Sequence, residues 1–231
     1  MEIWQQRTAM LLGEEKVKKL QKFAVIVFGV GGVGGMCAEA LVRAGIGKVD
    51  LVDFDTIDIT NVNRQIIALQ NNVGEIKAQE AKKRFLQINP DLDCEIYPIQ
   101  YGRETMEQIQ WDKYDFCVDA IDQVTSKILL VEECQRTNTP MVAAMGAGNK
   151  LHPELLEVSF LSKTSICPLA RTMRKEIKTR GLKDYKVVYS KEVPQKFDKE
   201  SGRKPASISF VPPASGLILA GEVVRSLLEL E

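Results

Sequence analysis

The stretch "VFGVGGVGG" (27–35) holds five glycines in nine positions and continues an apolar run that starts at Phe23. An apolar strand that leads through a glycine-rich turn into a helix leaves backbone N–H groups and the positive end of a helix dipole facing open space. Phosphate oxygens satisfy both features. The stretch therefore predicts a site for the phosphates of a nucleotide.

An acidic residue, Asp53, stands near the end of the next apolar run, "VDLVDFD" (49–55). This arrangement fits a Rossmann dinucleotide site, in which a carboxylate binds the ribose hydroxyls. The glycines also have a purely structural interpretation, because Gly34 and Gly35 allow a helix and a strand to pack closely. Taken alone, the loop leaves a nicotinamide-binding oxidoreductase and a non-catalytic nucleotide sensor open.

The residues downstream favour a triphosphate. "DFDTIDITNVNRQ" (53–65) supplies carboxylates, two asparagines and Arg64, and "VGEIKAQ" (73–79) adds Lys77. Lys and Arg bind β- and γ-phosphates, whereas hydride transfer needs a flat ring pocket without such cations. The acids of "DAIDQ" (119–123) suit Mg²⁺ with oxygen ligands. We therefore predict ATP, while loop capping by Asp55 and Asp58 and a solvated helix position for Lys77 remain alternatives.

Two further residues could take part in chemistry. His152 is the one histidine of the chain, and it precedes a proline in a predicted turn, which favours a structural role. Cys167 precedes Pro168 at a predicted helix start, where a thiolate would be stabilised, although a bystander thiol is the more common case. The five cysteines contain no C-x-x-C pair, so reduced thiols are expected and a structural zinc site is not.

Short β-branched and apolar runs alternate with helical patterns along the first 150 residues. The predicted strands are 23–29, 49–55, 93–99, 114–121 and 140–146, and the predicted helices are 33–45, 75–88 and 124–138, after an amphipathic segment at 4–21. This order predicts an α/β fold with a Rossmann-like, doubly wound, mostly parallel sheet. Strands predicted in "LLEVSFLS", "YKVVYSKE" and "SISFVPP" would extend it with antiparallel pairing, before a last helix over 214–230.

The chain of 231 residues predicts a single domain, with a nucleotide-binding core at 1–150 and a C-terminal extension at 151–231. No export signal or membrane span is predicted, so a cytoplasmic location is expected. A loop at 194–205 is predicted to be disordered because apolar residues are absent from most of it.

The charge of the chain is balanced overall but uneven along it. Lysine plus arginine and aspartate plus glutamate both number 31, yet the segment from Lys163 to Lys204 holds thirteen basic and five acidic residues. A solvated surface is the ordinary interpretation of such a run. Because Arg171, Arg174, Lys175 and Lys178 recur at helical spacing, one face would be positive, as a surface that follows phosphates requires.

Several segments, in this order and spacing, resemble the adenylating enzymes that activate sulfur-carrier proteins and ubiquitin. They are "RTAMLLGEE", "VFGVGGVGG", "GIGKVDLVDFD", "TNVNRQ", "VGEIK", "INP" and "DAID", within residues 5–150. Within this superfamily the chain is most similar to the tRNA threonylcarbamoyladenosine dehydratases. "RQIIAL" (64–69), "GAG" (146–148), "PLAR" (168–171) and "VVYSKEVP" (187–194) support that branch.

The resemblance implies ATP-dependent cyclisation, with loss of water, of a modified adenosine next to the anticodon of tRNA, through adenylation of its carboxylate. It implies that the glycines around Gly32 bind the α-phosphate, that Asp53 binds the ribose, and that Asp122 holds Mg²⁺. It also implies a homodimer in which Arg7 reaches a phosphate across the interface. With the residues noted above, the full set of predicted contacts to ATP and Mg²⁺ is Gly29, Gly31, Gly32, Gly34, Asp53, Asp55, Asn61, Asn63, Arg64, Lys77 and Asp122, with Arg7, Arg64, Lys77 and Asp122 as the catalytic residues.

The same resemblance leaves a second function open, in which the chain adenylates the flexible Gly-Gly end of a small sulfur-carrier protein, and a sulfur-transfer protein would then be a partner. Those activators typically carry paired C-x-x-C zinc motifs after the core. Here Cys167 is the one cysteine beyond residue 134. The sequence therefore favours the tRNA-modifying branch, with tRNA contacts expected from the C-terminal extension.

Overall fold

A computed structural model describes residues 2–195 and 205–230. Its seven strands form one sheet in the order β3-β2-β1-β4-β5-β7-β6. The strands are β1 (Ala24–Phe28), β2 (Lys48–Val52), β3 (Ile96–Tyr97), β4 (Phe116–Asp119), β5 (Met141–Ala144), β6 (Leu156–Phe160) and β7 (Lys186–Ser190). Neighbouring strands are parallel except β6, which runs antiparallel to β7 at one edge. The predicted mostly parallel sheet is confirmed, and its antiparallel part is this single edge strand.

The helices cover both faces of the sheet. They are α1 (Gln6–Leu12), α2 (Glu14–Leu20), α3 (Gly34–Ala44), α4 (Lys77–Ile88), α5 (Val124–Thr137), α6 (Pro168–Thr179) and α7 (Val211–Leu227). Among the described residues, none of the helices combines the length and the apolar character that a membrane span requires.

Alternation along β1 explains the two cores. Val25 and Val27 belong to the apolar cluster that includes residues of α3, α4 and α7. Ile26 and Phe28 face the opposite side, where they join residues of α5 and the aromatic residues Tyr101, Trp111 and Tyr114. A third cluster, between α5, α6, β5 and β7, continues the second face. A strand that is buried on both faces reads as a continuous apolar run, which is why β1 was readily predicted.

The C-terminal region differs from the prediction in one element. The segment "SISFVPP" (207–213) is not a strand, because α7 begins at Val211, three residues before the predicted start. Pro212 and Pro213 are compatible with the first turn of a helix, where the backbone N–H groups have no intrahelical acceptor. Most of the loop predicted to be disordered at 194–205 lies outside the described residues.

Candidate functional site

A cavity of about 490 Å³ lies at the carboxyl ends of β1, β2 and β4. The chain leaves β1 toward β2 on one side and reaches β4 on the other, so the cavity occupies the switch point where α/β sheets bind ligands. Nine of the predicted ligand residues line it: Gly29, Gly31, Gly32, Asp53, Asp55, Asn61, Arg64, Lys77 and Asp122.

The glycine loop joins β1 to α3 with no room for side chains at two positions. Gly29 has a φ of +86°, and a Cβ there would lie 2.7 Å from the carbonyl oxygen of Ala120 on the neighbouring strand end. A Cβ on Gly34 would lie 1.8 Å from the carbonyl oxygen of Gly29. Gly34 thus has the close-packing role that the sequence left open and does not line the cavity, whereas Gly31 and Gly32 do.

Asp53 fastens the end of β2 to the glycine loop. One of its carboxylate oxygens accepts a hydrogen bond from the Val30 N–H at 2.6 Å and the other from the Asp55 N–H at 2.9 Å. Burial raises the pKa of the Asp53 carboxyl above its ordinary value, although these two donors act against the increase. Each oxygen keeps a second lone pair, so the carboxylate can still accept from a ribose hydroxyl.

Two cationic side chains enter the cavity wall. Lys77, 6% exposed at the start of α4, places its Nζ 2.7 Å from Oδ2 of Asp55. Arg64 donates from Nη1 to the carbonyl oxygen of Thr60 and to Oδ1 of Asn63, both at 2.9 Å. The solvated-helix alternative for Lys77 is therefore wrong, since this side chain is buried and paired at the site.

The turn that carries Arg64 is capped by its own polar residues. The Asp58 N–H donates to Oδ1 of Asn61 at 3.1 Å, and Oδ1 of Asp58 accepts from the Thr60 N–H at 2.8 Å. Asp58 thus has the loop-capping role that the sequence allowed. Asn63 does not line the cavity, because its side chain is exposed and donates from Nδ2 to the carbonyl oxygen of Ser207 at 3.1 Å.

The two acids of "DAIDQ" have different environments. Asp119 is completely buried and forms an ion pair of 3.0 Å with Lys127, itself buried, and burial raises the pKa of the Asp119 carboxyl. Lys127 Nζ also donates to the carbonyl oxygens of Ile121 and Ala144 at 3.0 and 2.8 Å. Asp122 is exposed at the cavity, and its carboxylate has no partner within the described ranges. Asp122 is consequently the acid that remains available to a ligand.

Sequence reasoning overlooked two side chains of the wall. Phe54 is half exposed between Asp53 and Asp55, where its ring could stack on a base. Gln65 is buried beside the glycine loop, and its Oε1 has no hydrogen-bond partner among the described residues. An aromatic residue between two strand-end acids was the signal for Phe54. For Gln65 the signal was only its position after Arg64.

The remaining candidates lie away from this cavity. Arg7 is exposed on α1 and does not line the cavity. Cys167 is buried at the N-cap of α6, as predicted for a helix start, and also does not line it. His152 Nδ1 lies 2.7 Å from Glu154 at the surface, and this hydrogen bond raises the pKa of the imidazole. Within the described residues, no group of three or more His, Cys, Asp or Glu side chains has the arrangement of a metal site.

Known proteins with similar sequences and folds share this architecture. The model of the ThiF family matches residues 5–231. The tRNA threonylcarbamoyladenosine dehydratase of Bacillus subtilis is 39% identical, over 96% of this chain and 94% of its own length. The crystal structure of the Escherichia coli tRNA N6-threonylcarbamoyladenosine dehydratase in complex with ATP has a TM-score of 0.90 at 31% identity, and covers 99% of this chain and 96% of its own. A sulfur carrier protein adenylyltransferase of Thermus thermophilus is 34% identical over 57% of this chain and 48% of its own length.

Proposed function

The chain belongs to the ThiF family. From its similarity to the tRNA threonylcarbamoyladenosine dehydratases over nearly the whole chain, we propose that it is an ATP-dependent tRNA threonylcarbamoyladenosine dehydratase. The observation that carries the proposal is a cavity that combines the glycine loop, two cationic side chains and an available carboxylate, Asp122. A cavity for NAD would not need Arg64 and Lys77 at its wall.

The reaction has two steps. The threonyl carboxylate of the modified adenosine attacks the α-phosphate of ATP, which forms an acyl-adenylate and releases pyrophosphate. A nucleophilic atom of the adjacent carbamoyl group then attacks the acyl carbon and expels AMP, so that a ring closes and the net change at the nucleoside is loss of water. The carboxylate is ionised near neutral pH, and the first step therefore needs alignment and charge neutralisation rather than a general base.

The side chains of the cavity fit that requirement. We assign Arg64, Lys77 and Asn61 to the phosphates of ATP, where two positive charges offset those of the triphosphate. The backbone N–H groups around Gly32 would hold the α-phosphate, and Asp53 the ribose. Phosphate oxygens would compete with Asp55 for the Lys77 ammonium, and Asp55 is sufficiently exposed to turn toward water.

Magnesium would be held by Asp122 together with phosphate oxygens and water. Mg²⁺ commonly binds through one or two carboxylates plus the phosphates of its substrate, and it does not need a cage of protein ligands. Asp122 fits because its carboxylate is exposed at the cavity and unpaired within the described residues, whereas Asp119 is neutralised by Lys127. The ion would supply further charge neutralisation at the phosphates.

A second copy of this chain would complete the site with Arg7. The N-terminal segment exposes three aliphatic side chains, Ile3, Met10 and Leu11, which are 89%, 73% and 84% accessible. An exposed apolar cluster of this kind marks an interface, and a two-fold dimer buries it in a self-complementary contact. Arg7 lies between these residues, so a dimer through this face would bring the guanidinium into a shared interface.

The C-terminal extension would bind the tRNA. The exposed cations of α6, Arg171, Lys175 and Lys178, lie on the helix face opposite to its buried residues Ala170, Met173 and Ile177. Such a face can follow a phosphate backbone. Because its substrate is tRNA, we expect the enzyme to work in the cytoplasm.

The test uses α-labelled ATP and tRNA with or without the threonylcarbamoyl group. We expect AMP and the cyclised nucleoside only with the modified tRNA. Formation of AMP with a sulfur-carrier protein that ends in Gly-Gly, and none with the modified tRNA, would favour the adenylyltransferase alternative and a sulfur-transfer partner instead. Calorimetry should give binding of ATP and negligible binding of NAD.

A further inference from the structure

Ile166, the residue before the N-cap of α6, has an unusual backbone conformation. Its φ is +60°, and the Cys167 N–H donates to the carbonyl oxygen of Ser165 at 2.5 Å, so the chain forms a tight turn around it. A β-branched residue is strongly disfavoured in this region, where its Cβ crowds the following carbonyl group. The other described non-glycine residues with positive φ are Asn138, Asn149 and Glu229, none of which is β-branched. Folding alone would favour glycine or asparagine at this turn.

Packing does not explain the isoleucine either. The residue is 42% exposed, while its neighbour Cys167 is buried at 1%. An aliphatic side chain that is both exposed and in a strained backbone conformation contributes little to the stability of the fold. Residues in such conformations cluster at functional sites, where the strain serves function rather than stability.

The turn lies at the edge of the sheet where the cavity opens. The Cys167 Sγ is 3.6 Å from the Cβ position of Gly146, two residues past the end of β5. Since β1, β4 and β5 are parallel, their carboxyl ends share one edge. Lys127 connects the last residue of β5, Ala144, to Ile121 in the cavity wall. Ile166 therefore stands on the cavity side of the molecule.

Exposed positive side chains flank the isoleucine along the chain. Lys163, three residues before it, and Arg171 and Lys175, on the first two turns of α6, are all exposed. Within the part of the chain that the structure describes, none of them pairs with a carboxylate. An apolar tip among unpaired cations complements a ligand that has phosphates around flat apolar faces, which is the chemistry of unpaired nucleotides.

We infer that Ile166 packs on the face of an anticodon-loop base next to the threonylcarbamoyladenosine. This inference rests on the proposed function. The threonyl carboxylate reaches the α-phosphate in the cavity only when the modified nucleotide leaves the base stack. Its departure exposes one face of the neighbouring base. Ile166 then packs on that face, as apolar side chains do when they insert between base steps.

The test separates the backbone from the side chain through two variants. Ile166→Gly removes both strain and apolar surface, and Ile166→Leu keeps an apolar side chain. We expect Ile166→Gly to unfold at a temperature no lower than the parent, to bind ATP within about twofold of it, and to cyclise the nucleoside about tenfold more slowly in single turnovers at saturating ATP and a fixed subsaturating tRNA concentration. Ile166→Leu should keep at least half of the parent rate. Asn138→Gly, a change at another positive-φ residue beyond the end of α5, is the matched control and should leave the rate unchanged.

A fluorescent 2-aminopurine next to the modified nucleotide provides an independent signal. Its emission should rise on binding to the parent, as the stack opens, and rise less with Ile166→Gly. An Ile166→Gly enzyme as fast as the parent overturns the inference and leaves the proposed function standing. A parent that makes no AMP with the modified tRNA overturns both.

Discussion

At the scale of single residues, each cation of the cavity wall contacts a neighbouring acceptor, which a nucleotide would replace under the proposed function. A buried ammonium such as Lys77 needs a counter-charge, which Asp55 supplies at 2.7 Å. Asp55 remains 48% exposed, so in the proposed complex it would turn toward water as phosphates take its place. Arg64 is held by neutral acceptors, Thr60 and Asn63, and keeps its charge available. Under the proposed function, the two cations would therefore be preorganised for the phosphates of ATP at a modest cost in rearrangement.

Removal of either cation should weaken ATP binding. Lys77→Ala and Arg64→Ala each lose charge-assisted contacts worth about 1.5–3 kcal/mol, which corresponds to roughly a tenfold to 150-fold rise in Kd. Isothermal calorimetry with ATP and Mg²⁺ measures the change. Lys83→Ala is the matched control, because Lys83 lies on the same helix as Lys77 but is exposed and pairs with Glu80. Equal ATP affinity in Lys77→Ala and Lys83→Ala would remove Lys77 from the site.

At the scale of elements, the glycine loop leads directly into the first turn of α3, so the position of α3 determines that of the loop. A buried carboxylate links α3 to α4. Glu39 on α3 is 5% exposed and accepts hydrogen bonds from Arg84 on α4, at 2.5 Å to its Nε, and from Arg43 at 2.9 Å. Burial alone would raise the pKa of Glu39, but the two guanidinium groups outweigh it and hold the pKa below its ordinary value. The helix that follows the loop is thus linked to the helix that begins with Lys77.

Glu39→Gln should destabilise the fold by about 1–2 kcal/mol near neutral pH, since both guanidinium groups are partly exposed and screened. A carboxyl whose pKa is lowered by folding stabilises the folded state above its ordinary value of 4.5, and this contribution is lost as the pH falls through the lower, folded value. The difference in the free energy of unfolding between parent and variant, measured with urea, should therefore decrease below about pH 4. If this difference in free energy stays constant from pH 7 to about pH 3, the charge of Glu39 is not the cause of the destabilisation.

Sequence patterns located the elements where the signal is local. The apolar run of β1, the glycines after it and the polar residues after β2 are contiguous in the chain, and nine predicted ligands do line one cavity. "SISFVPP" was misassigned because alternation favours a strand and prolines read as a break, although both prolines fit the first turn of α7. Two features depend on tertiary contacts that no local pattern encodes. One is the hydrogen bond from the Asn63 side chain to Ser207, which is 144 positions away, and the other is the ion pair of Asp119 with Lys127.

At the scale of the whole molecule, the chain has no net charge, and its charged and apolar surfaces lie in different places. Basic residues are concentrated between Lys163 and Lys204, and the three most exposed aliphatic side chains of the described residues lie in the N-terminal segment. The cavity lies at the carboxyl edge of the sheet, apart from α1. One surface is thus suited to a polyanion and another to a second protein chain, which makes the proposed dimer and the proposed tRNA contact separable in experiments.

The proposed dimer can be tested by mixing two inactive variants. If Arg7 acts across the interface, Arg7→Ala chains combined with Asp122→Ala chains form mixed dimers with one complete site, and about a quarter of the parent activity should return. Exchange of chains is verified with two affinity tags. A mixture that exchanges chains but stays inactive would place Arg7 in its own chain's site or outside any site.

The tRNA surface can be tested through the salt dependence of binding. Each phosphate contact contributes roughly 0.7–0.9 to the slope of log affinity against log salt, because binding releases condensed counterions. Replacing Arg171, Lys175 and Lys178 by glutamine should lower the slope by up to about 2–3 and leave ATP affinity unchanged.

Arg174 is left in place because it donates to the carbonyl oxygen of Thr164 at 3.0 Å, so its loss would also disturb the turn before α6. The matched control replaces Lys16, Lys19 and Lys22, exposed residues in and just after α2, and should keep the parent slope, since it removes the same charge from another surface. If both triple variants follow the parent between about 50 and 300 mM salt, the α6 cations are only solvated and the tRNA docks elsewhere.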